Sequence, residues 1–142
     1  MNGKAGKVQF PKLISHCALA TIGLLIIFGI VTGQIPGQLR TIALILPLPL
    51  GILLGVVLYF RLAHEVVQYD EYGFTVTKGK AMARAYKWEQ FTGVSLFSDT
   101  KGGLYVRMYY QPDGEYVDLP ATRTGIDPFS LRNSLQSRFT KI

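Results

Sequence analysis

A chain of 142 residues with a single cysteine excludes an internal disulfide, and its 49% hydrophobic content is concentrated at one end, which excludes an ordinary globular pattern. The formal charge of +6 would suit a nucleic-acid binder, yet three lysines (Lys4, Lys7, Lys12) precede any apolar run, and residues 61–142 carry 11 Lys/Arg against 9 Asp/Glu. No basic stripe interleaved with aromatics is evident, so nucleic acid is not an expected partner.

In chain order, residues 1–12 read as a basic tail, followed by two apolar runs at 13–31 and 41–60 without Asp, Glu, Lys or Arg. At about 1.5 Å per residue, each run is long enough for a hydrocarbon core roughly 30 Å thick. The pair predicts a transmembrane hairpin with the lipid bilayer as its first partner. Three lysines lie before the first span, only Arg40 lies between the spans, and Arg61 follows the second. This asymmetry predicts that both termini are cytoplasmic. A cleaved signal peptide is a poorer reading, because its apolar core is about 7 to 15 residues.

Within the first span, His16 follows Lys12 by one turn and is expected at headgroup level; His64 lies beyond the second span, so neither suggests a metal site. Cys17 cannot serve as a Cys/His nucleophile without leaving the membrane. The second span contains Leu46-Pro47-Leu48-Pro49-Leu50, which predicts a kink, because each proline removes a helical donor. Gly51 and Gly55 then form a GxxxG pattern suited to close helix packing. Their partner is expected to be the first span, through Ala18, Ala20, Gly23 and Gly29; a second copy of the chain, giving a homo-oligomer, is the alternative.

From residue 61 onward the pattern changes to short alternating segments separated by turns, which predicts an antiparallel meander. Residues 66–69 either continue the helix or begin the sheet. Strands are expected at 74–77, 81–87 and around 94–97, and a hairpin joins 104–110 to 116–119 through Gln111-Pro112-Asp113-Gly114-Glu115. Asp127-Pro128 supplies a helix start, and Leu131, Leu135 and Phe139 predict an amphipathic C-terminal helix over 128–140. The fold class is therefore α+β, with residues 61–142 forming a cytoplasmic domain behind a two-helix hairpin.

Two segments carry a resemblance: Asp70-Glu71-Tyr72-Gly73-Phe74-Thr75-Val76, and Tyr86-Lys87-Trp88-Glu89-Gln90-Phe91-Thr92-Gly93-Val94. Their order resembles the bacterial pleckstrin-homology-like domains of small membrane proteins, although Phe91 stands where a β-branched aliphatic is usual. The resemblance implies an antiparallel β-sheet or barrel capped by a C-terminal helix, held at a bacterial inner membrane. It also implies anionic lipid headgroup contact for Lys78, Lys80 and Arg84, which cluster near one turn.

Catalytic machinery is not expected. Gly73 to Lys80 fails the phosphate-loop spacing, and Asp70, Glu71, Asp113 and Glu115 fall in turns. No catalytic residue, metal or cofactor is expected. The leading expectation is a noncatalytic protein whose domain, rich in Tyr105, Tyr109, Tyr110 and Tyr116, binds a protein partner or membrane complex. An immunity or protective membrane protein is the alternative.

Overall fold

The computed structural model describes residues 2–35, 37–110 and 114–140. Its contacts divide the chain into two units, one holding Gln9–His64 and the other combining residues up to Val8 with those from Glu65 onward. The division is not the linear one expected of a tail, a hairpin and a domain. The N-terminal segment expected as a basic tail contributes β1 (Gly3–Ala5), which pairs antiparallel with β2 (Glu65–Tyr69). Three residues of GKA give no strand pattern by themselves. Their pairing is supplied by β2, more than sixty positions away.

The helical unit begins with α1 (Phe10–Thr32), whose start is set by Pro11 in the first turn. It continues through α2 (Gln38–Ile45) and α3 (Pro47–Leu62). The expected proline break is present: Pro47 and Pro49 cannot donate to the carbonyls four residues back, and the helix is interrupted at Leu46. By length and composition, Phe10–Thr32 and Gln38–Leu62 each suffice to cross a bilayer.

Gly51 and Gly55 are buried on α3. A Cβ built on Gly51 would collide with Thr21, and one on Gly55 would collide with the backbone of Cys17 and His16. The face they meet therefore centres on Cys17 and Thr21. It is not centred on the glycines expected there, since Gly23 and Gly29 have no neighbour at that position. At the base of the pair, the buried Tyr59 hydroxyl accepts the Gln9 backbone N–H at 2.7 Å. His16 and His64 both set their rings against Tyr59, at centroid distances of 6.0 and 5.8 Å.

The second unit contains two antiparallel sheets. One has the order β1-β2-β3-β4, with β3 (Gly73–Lys78) and β4 (Arg84–Lys87); the other runs β5-β6-β7, with β5 (Phe91–Ser98), β6 (Leu104–Tyr110) and β7 (Tyr116–Pro120). Residues 66–69 thus begin the sheet, and the strand expected at 81–87 is confined to its second half. The Tyr110 N–H to Glu115 C=O bond of 2.8 Å closes the predicted β6–β7 hairpin, although Gln111, Pro112 and Asp113 lie outside the described residues.

Among the described residues no pairing joins the two sheets, so the barrel alternative is corrected to an open pair. The cause is local. A 3₁₀ turn at Trp88–Gln90 redirects the chain after β4, and β5 starts a separate sheet. Trp88 fixes that turn: its indole N–H donates to the Asp70 carbonyl at 2.8 Å, and its backbone N–H donates to the Tyr72 carbonyl at 3.0 Å. The Asp70 carboxylate accepts the N–H groups of Tyr72 and Gly73, both at 2.8 Å. Gly73 is required there, because a Cβ would strike the Tyr86 carbonyl.

Around Trp88, Phe74 contacts Tyr86, Trp88 and Phe91 at 5.0, 5.1 and 6.1 Å. The β5–β6 register slips between Phe91 and Gly93, and this extra residue brings Phe91 to the core side together with Val94 and Leu96. Beyond β7, a short helix that the sequence pattern did not indicate, α4 (Ala121–Thr124), ends at Gly125 in the left-handed conformation. The expected closing helix follows as α5 (Pro128–Phe139). Asp127 caps it by accepting the Phe129 N–H at 3.2 Å, and Leu131 and Leu135 are buried against β5 and β6.

Two outcomes follow from this packing. Trp88→Phe keeps a ring but removes the bond to the Asp70 carbonyl, and should cost about 0.5–1.5 kcal/mol, lowering the domain's thermal midpoint by several degrees in near-UV circular dichroism. Gly55→Leu should destabilise the helical unit, whereas Gly23→Leu should leave it unchanged, as read by thermal unfolding in detergent.

Candidate functional site

Alternation along β6 divides its side chains between two environments. Val106 and Met108 enter the core, while Tyr105, Arg107 and Tyr109 occupy the opposite face. Arg107 is the centre of that face. Its guanidinium lies 4.0 Å from the Phe97 ring centroid and 3.8 Å from that of Tyr116, so two rings from neighbouring strands sandwich one cation. Asp118 on β7, directly opposite in the register, accepts from Nε at 2.7 Å and from Nη2 at 2.9 Å. The bidentate contact raises the guanidinium pKa above its usual value and fixes its plane between the rings.

Phe97 is 39% exposed and Tyr116 is 52% exposed, so the stack is ordered while still presenting apolar surface. Tyr109 packs against Tyr116 at 6.4 Å, and its hydroxyl lies 3.1 Å from Ser95 Oγ. Of the four tyrosines expected at a recognition surface, Tyr105, Tyr109 and Tyr116 belong to this face. Tyr110 does not; it packs on the core residue Phe91 at 4.8 Å.

Asp99 anchors one end of the face. It accepts the N–H groups of Gly103 at 2.7 Å and Lys101 at 2.9 Å, receives the Tyr105 hydroxyl at 3.2 Å, and lies 3.6 Å from Arg123. The Gly103 N–H is the largest cause holding its carboxyl below the ordinary value, despite partial burial acting the other way. Burial is the main cause raising the Tyr105 phenol, which therefore remains a donor.

Tyr105 and Asp118 also border a groove of about 410 Å³, lined further by Glu65, Lys78, Met82, Arg84 and Arg123. Of the three residues expected to contact lipid headgroups, Lys78 and Arg84 are exposed at this groove, and Lys80 is exposed on the turn but does not line it. Glu65 was not anticipated. It is only 8% exposed, and its Oε2 is buried without a hydrogen-bond partner. A charged residue opening a strand, just after an apolar run, was the available signal.

A second, larger concavity of about 590 Å³ lies along β2, β3 and β4 and is bordered by Tyr69, Tyr86 and Gln90. Lys4, Asp70 and Lys87 are its charged lining residues. Among the described residues, no group of three or more His, Cys, Asp or Glu side chains is placed to hold a metal ion.

Because the folded-state pKa of Asp99 is depressed, its stabilising charge is fully present above the unfolded value, near 3.8, and is lost as pH falls through the lower folded value. Asp99→Asn should therefore be less stable than wild type at neutral pH, with the difference shrinking below the ordinary carboxylate range in thermal unfolding across pH. Comparison of the sequence with family models and curated proteins, and of the fold with solved structures, returns no significant match.

Proposed function

We propose that this chain is a noncatalytic protein of a bacterial cytoplasmic membrane whose α+β domain recognises a protein partner or membrane complex. The observation that carries the reading is the ordered Phe97–Arg107–Tyr116 stack. Aromatic residues and arginine are enriched among the residues that dominate protein interfaces; the rings offer large contact area at little loss of side-chain freedom, and arginine adds a planar, multidentate donor. Holding Arg107 in place with Asp118 lowers the ordering cost of binding further.

Two features support the membrane setting. Ile14, Leu19, Ile26, Ile30, Ile52 and Leu53 are among many exposed apolar side chains of α1 and α3, and surface of that kind requires lipid or protein cover. Both ends of the helical unit also connect to strands of one sheet, β1 before it and β2 after it. Two spans joined by a short connection would then return the chain to the side on which it began, in agreement with the basic residues that flank them.

The open pair of antiparallel sheets, with α5 laid on β5 and β6, supports kinship with pleckstrin-homology-like domains. In that reading the Asp70–Gly73 turn and Trp88 form the structural signature, leaving the outer face of β5–β7 for recognition. Binding through that face requires no bond to be made or broken in the partner.

The test is affinity capture of the full chain from chemically crosslinked membranes. The chain should resist alkaline extraction and recover a stoichiometric protein partner. Arg107→Ala should reduce recovery roughly tenfold or more, as truncation of an interface anchor does, with membrane insertion unchanged. Release into the alkaline supernatant would overturn the membrane assignment; equal recovery by wild type and Arg107→Ala would overturn the recognition face.

A further inference from the structure

We propose that the groove at the rim of the two sheets binds a phosphoryl group carrying a primary ammonium, the chemistry of phosphoethanolamine. Glu65 receives the ammonium, and Lys78 and Arg84 receive the phosphate.

The placement follows from strand register. Glu65 pairs with Lys78, Val67 with Val76, and Val76 with Arg84, so these side chains share the core-facing side of β2, β3 and β4. Val67 is fully buried, and Val76 is partly buried against the core. Arg84 ends the valine row at its outer strand, and one step further toward the rim the row becomes the Glu65–Lys78 pair, so a carboxylate and two cations border the valines. Where these strands approach Tyr105 and Asp118 of the other sheet, the gap between sheets leaves the groove of about 410 Å³, within the usual range for small-molecule sites.

Each end of the proposed ligand answers a specific deficit. Glu65 is more than nine-tenths buried and its Oε2 is unpartnered, yet no ion pair joins it to Lys78, Arg84 or Arg123 among the described residues. A buried carboxylate requires charge compensation as well as a donor, which an ammonium supplies and a hydroxyl does not. Asp118 is occupied by Arg107, and Arg123 lies toward Asp99, leaving Lys78 and Arg84 as the groove's exposed cations. Together they offer more donors than one carboxylate would accept, and a phosphate uses both a fork-shaped and a point-charge partner.

The same chemistry is available from a soluble metabolite or a phospholipid headgroup. Met82, 93% exposed on the groove lip, offers apolar contact beside the cations. Glu65 is the third residue after the end of α3 at Leu62. The lipid source rests on the membrane reading above; binding of the soluble compound does not.

The test uses the full chain in maltoside micelles, titrated calorimetrically with phosphoethanolamine, phosphocholine and inorganic phosphate. Phosphoethanolamine should bind about tenfold or more tightly than the other two, since the quaternary ammonium of phosphocholine has no N–H to donate and phosphate lacks the cation. Glu65→Gln should erase that preference while retaining weak phosphate binding. Lys78→Gln with Arg84→Gln, two exposed positions that do not threaten folding, should abolish all binding.

Reconstitution separates the sources. Occupancy by lipid predicts that nanodiscs containing phosphatidylethanolamine block the soluble compound, whereas phosphatidylcholine nanodiscs do not; a soluble ligand binds equally in both. Equal affinity for phosphoethanolamine and phosphocholine, no binding of either, or binding unaffected by Lys78→Gln with Arg84→Gln overturns the proposal, even if Glu65→Gln fails to fold.

Discussion

The β-rich unit depends on how Trp88 is held. Its indole and backbone N–H groups bond to carbonyls at two points of the Asp70–Gly73 turn, and its ring lies against Phe74 at the centre of the aromatic core. These contacts place the β2–β3 turn beside the 3₁₀ turn that separates β4 from β5. Hydrogen bonding and burial thus act on the same residue, 3% exposed, so neither can be lost without disturbing the other. Because the chain changes sheets here, β4 and β5 do not pair, and the opposite rim of the domain retains a gap. Both surfaces of interest follow from that separation: an outward face on β5–β7, and a groove lined by residues of both sheets.

Features governed by neighbours in sequence were legible from the chain alone. Apolar length located the helical unit, Pro47 and Pro49 located its break, and Asp127-Pro128 with Leu131 and Leu135 located α5. What sequence pattern did not reveal depends on distant pairing. β1 is a strand only because β2 accepts it at the sheet edge; Lys4 meets Gln68, and no local alternation marks it. Similarly, Gly51 and Gly55 announced a close approach, but the choice of Cys17 and Thr21 over Gly23 and Gly29 depends on helix rotation. The candidate site was visible only in parts. Tyr105, Tyr109 and Tyr116 stood out by type, while Arg107 acquires its role from Phe97 and Asp118 on the strands at either side.

Connectivity gives the short β1 strand an importance beyond its length. It begins before α1 and pairs with a strand that begins after α3, so the helical unit is an insertion between two adjacent strands of one sheet. An insertion must return close to its point of departure, and an even number of crossings does so. Within the proposed membrane setting, strand pairing requires only that both ends lie on one side, through backbone hydrogen bonds, and the distribution of basic residues selects which side, through charge retention during insertion. In that setting the net charge has a topological origin. Much of the excess lies in Lys4, Lys7 and Lys12, beside the point where the chain leaves the sheet for α1.

Glu65 is the position where local and global preferences conflict. Its neighbour on the same face, Val67, is fully buried, which shows what the strand does when packing alone decides. A valine or leucine at Glu65 would extend that apolar surface, whereas a carboxylate with an unpartnered oxygen opposes folding through desolvation. Sequences are otherwise consistent across levels, and departures concentrate where function sets the residue. Lys78 and Arg84 could have neutralised Glu65 directly, but they remain exposed along the groove instead. The opposed charges are thus kept apart at one rim, an arrangement complementary to a ligand that carries both signs.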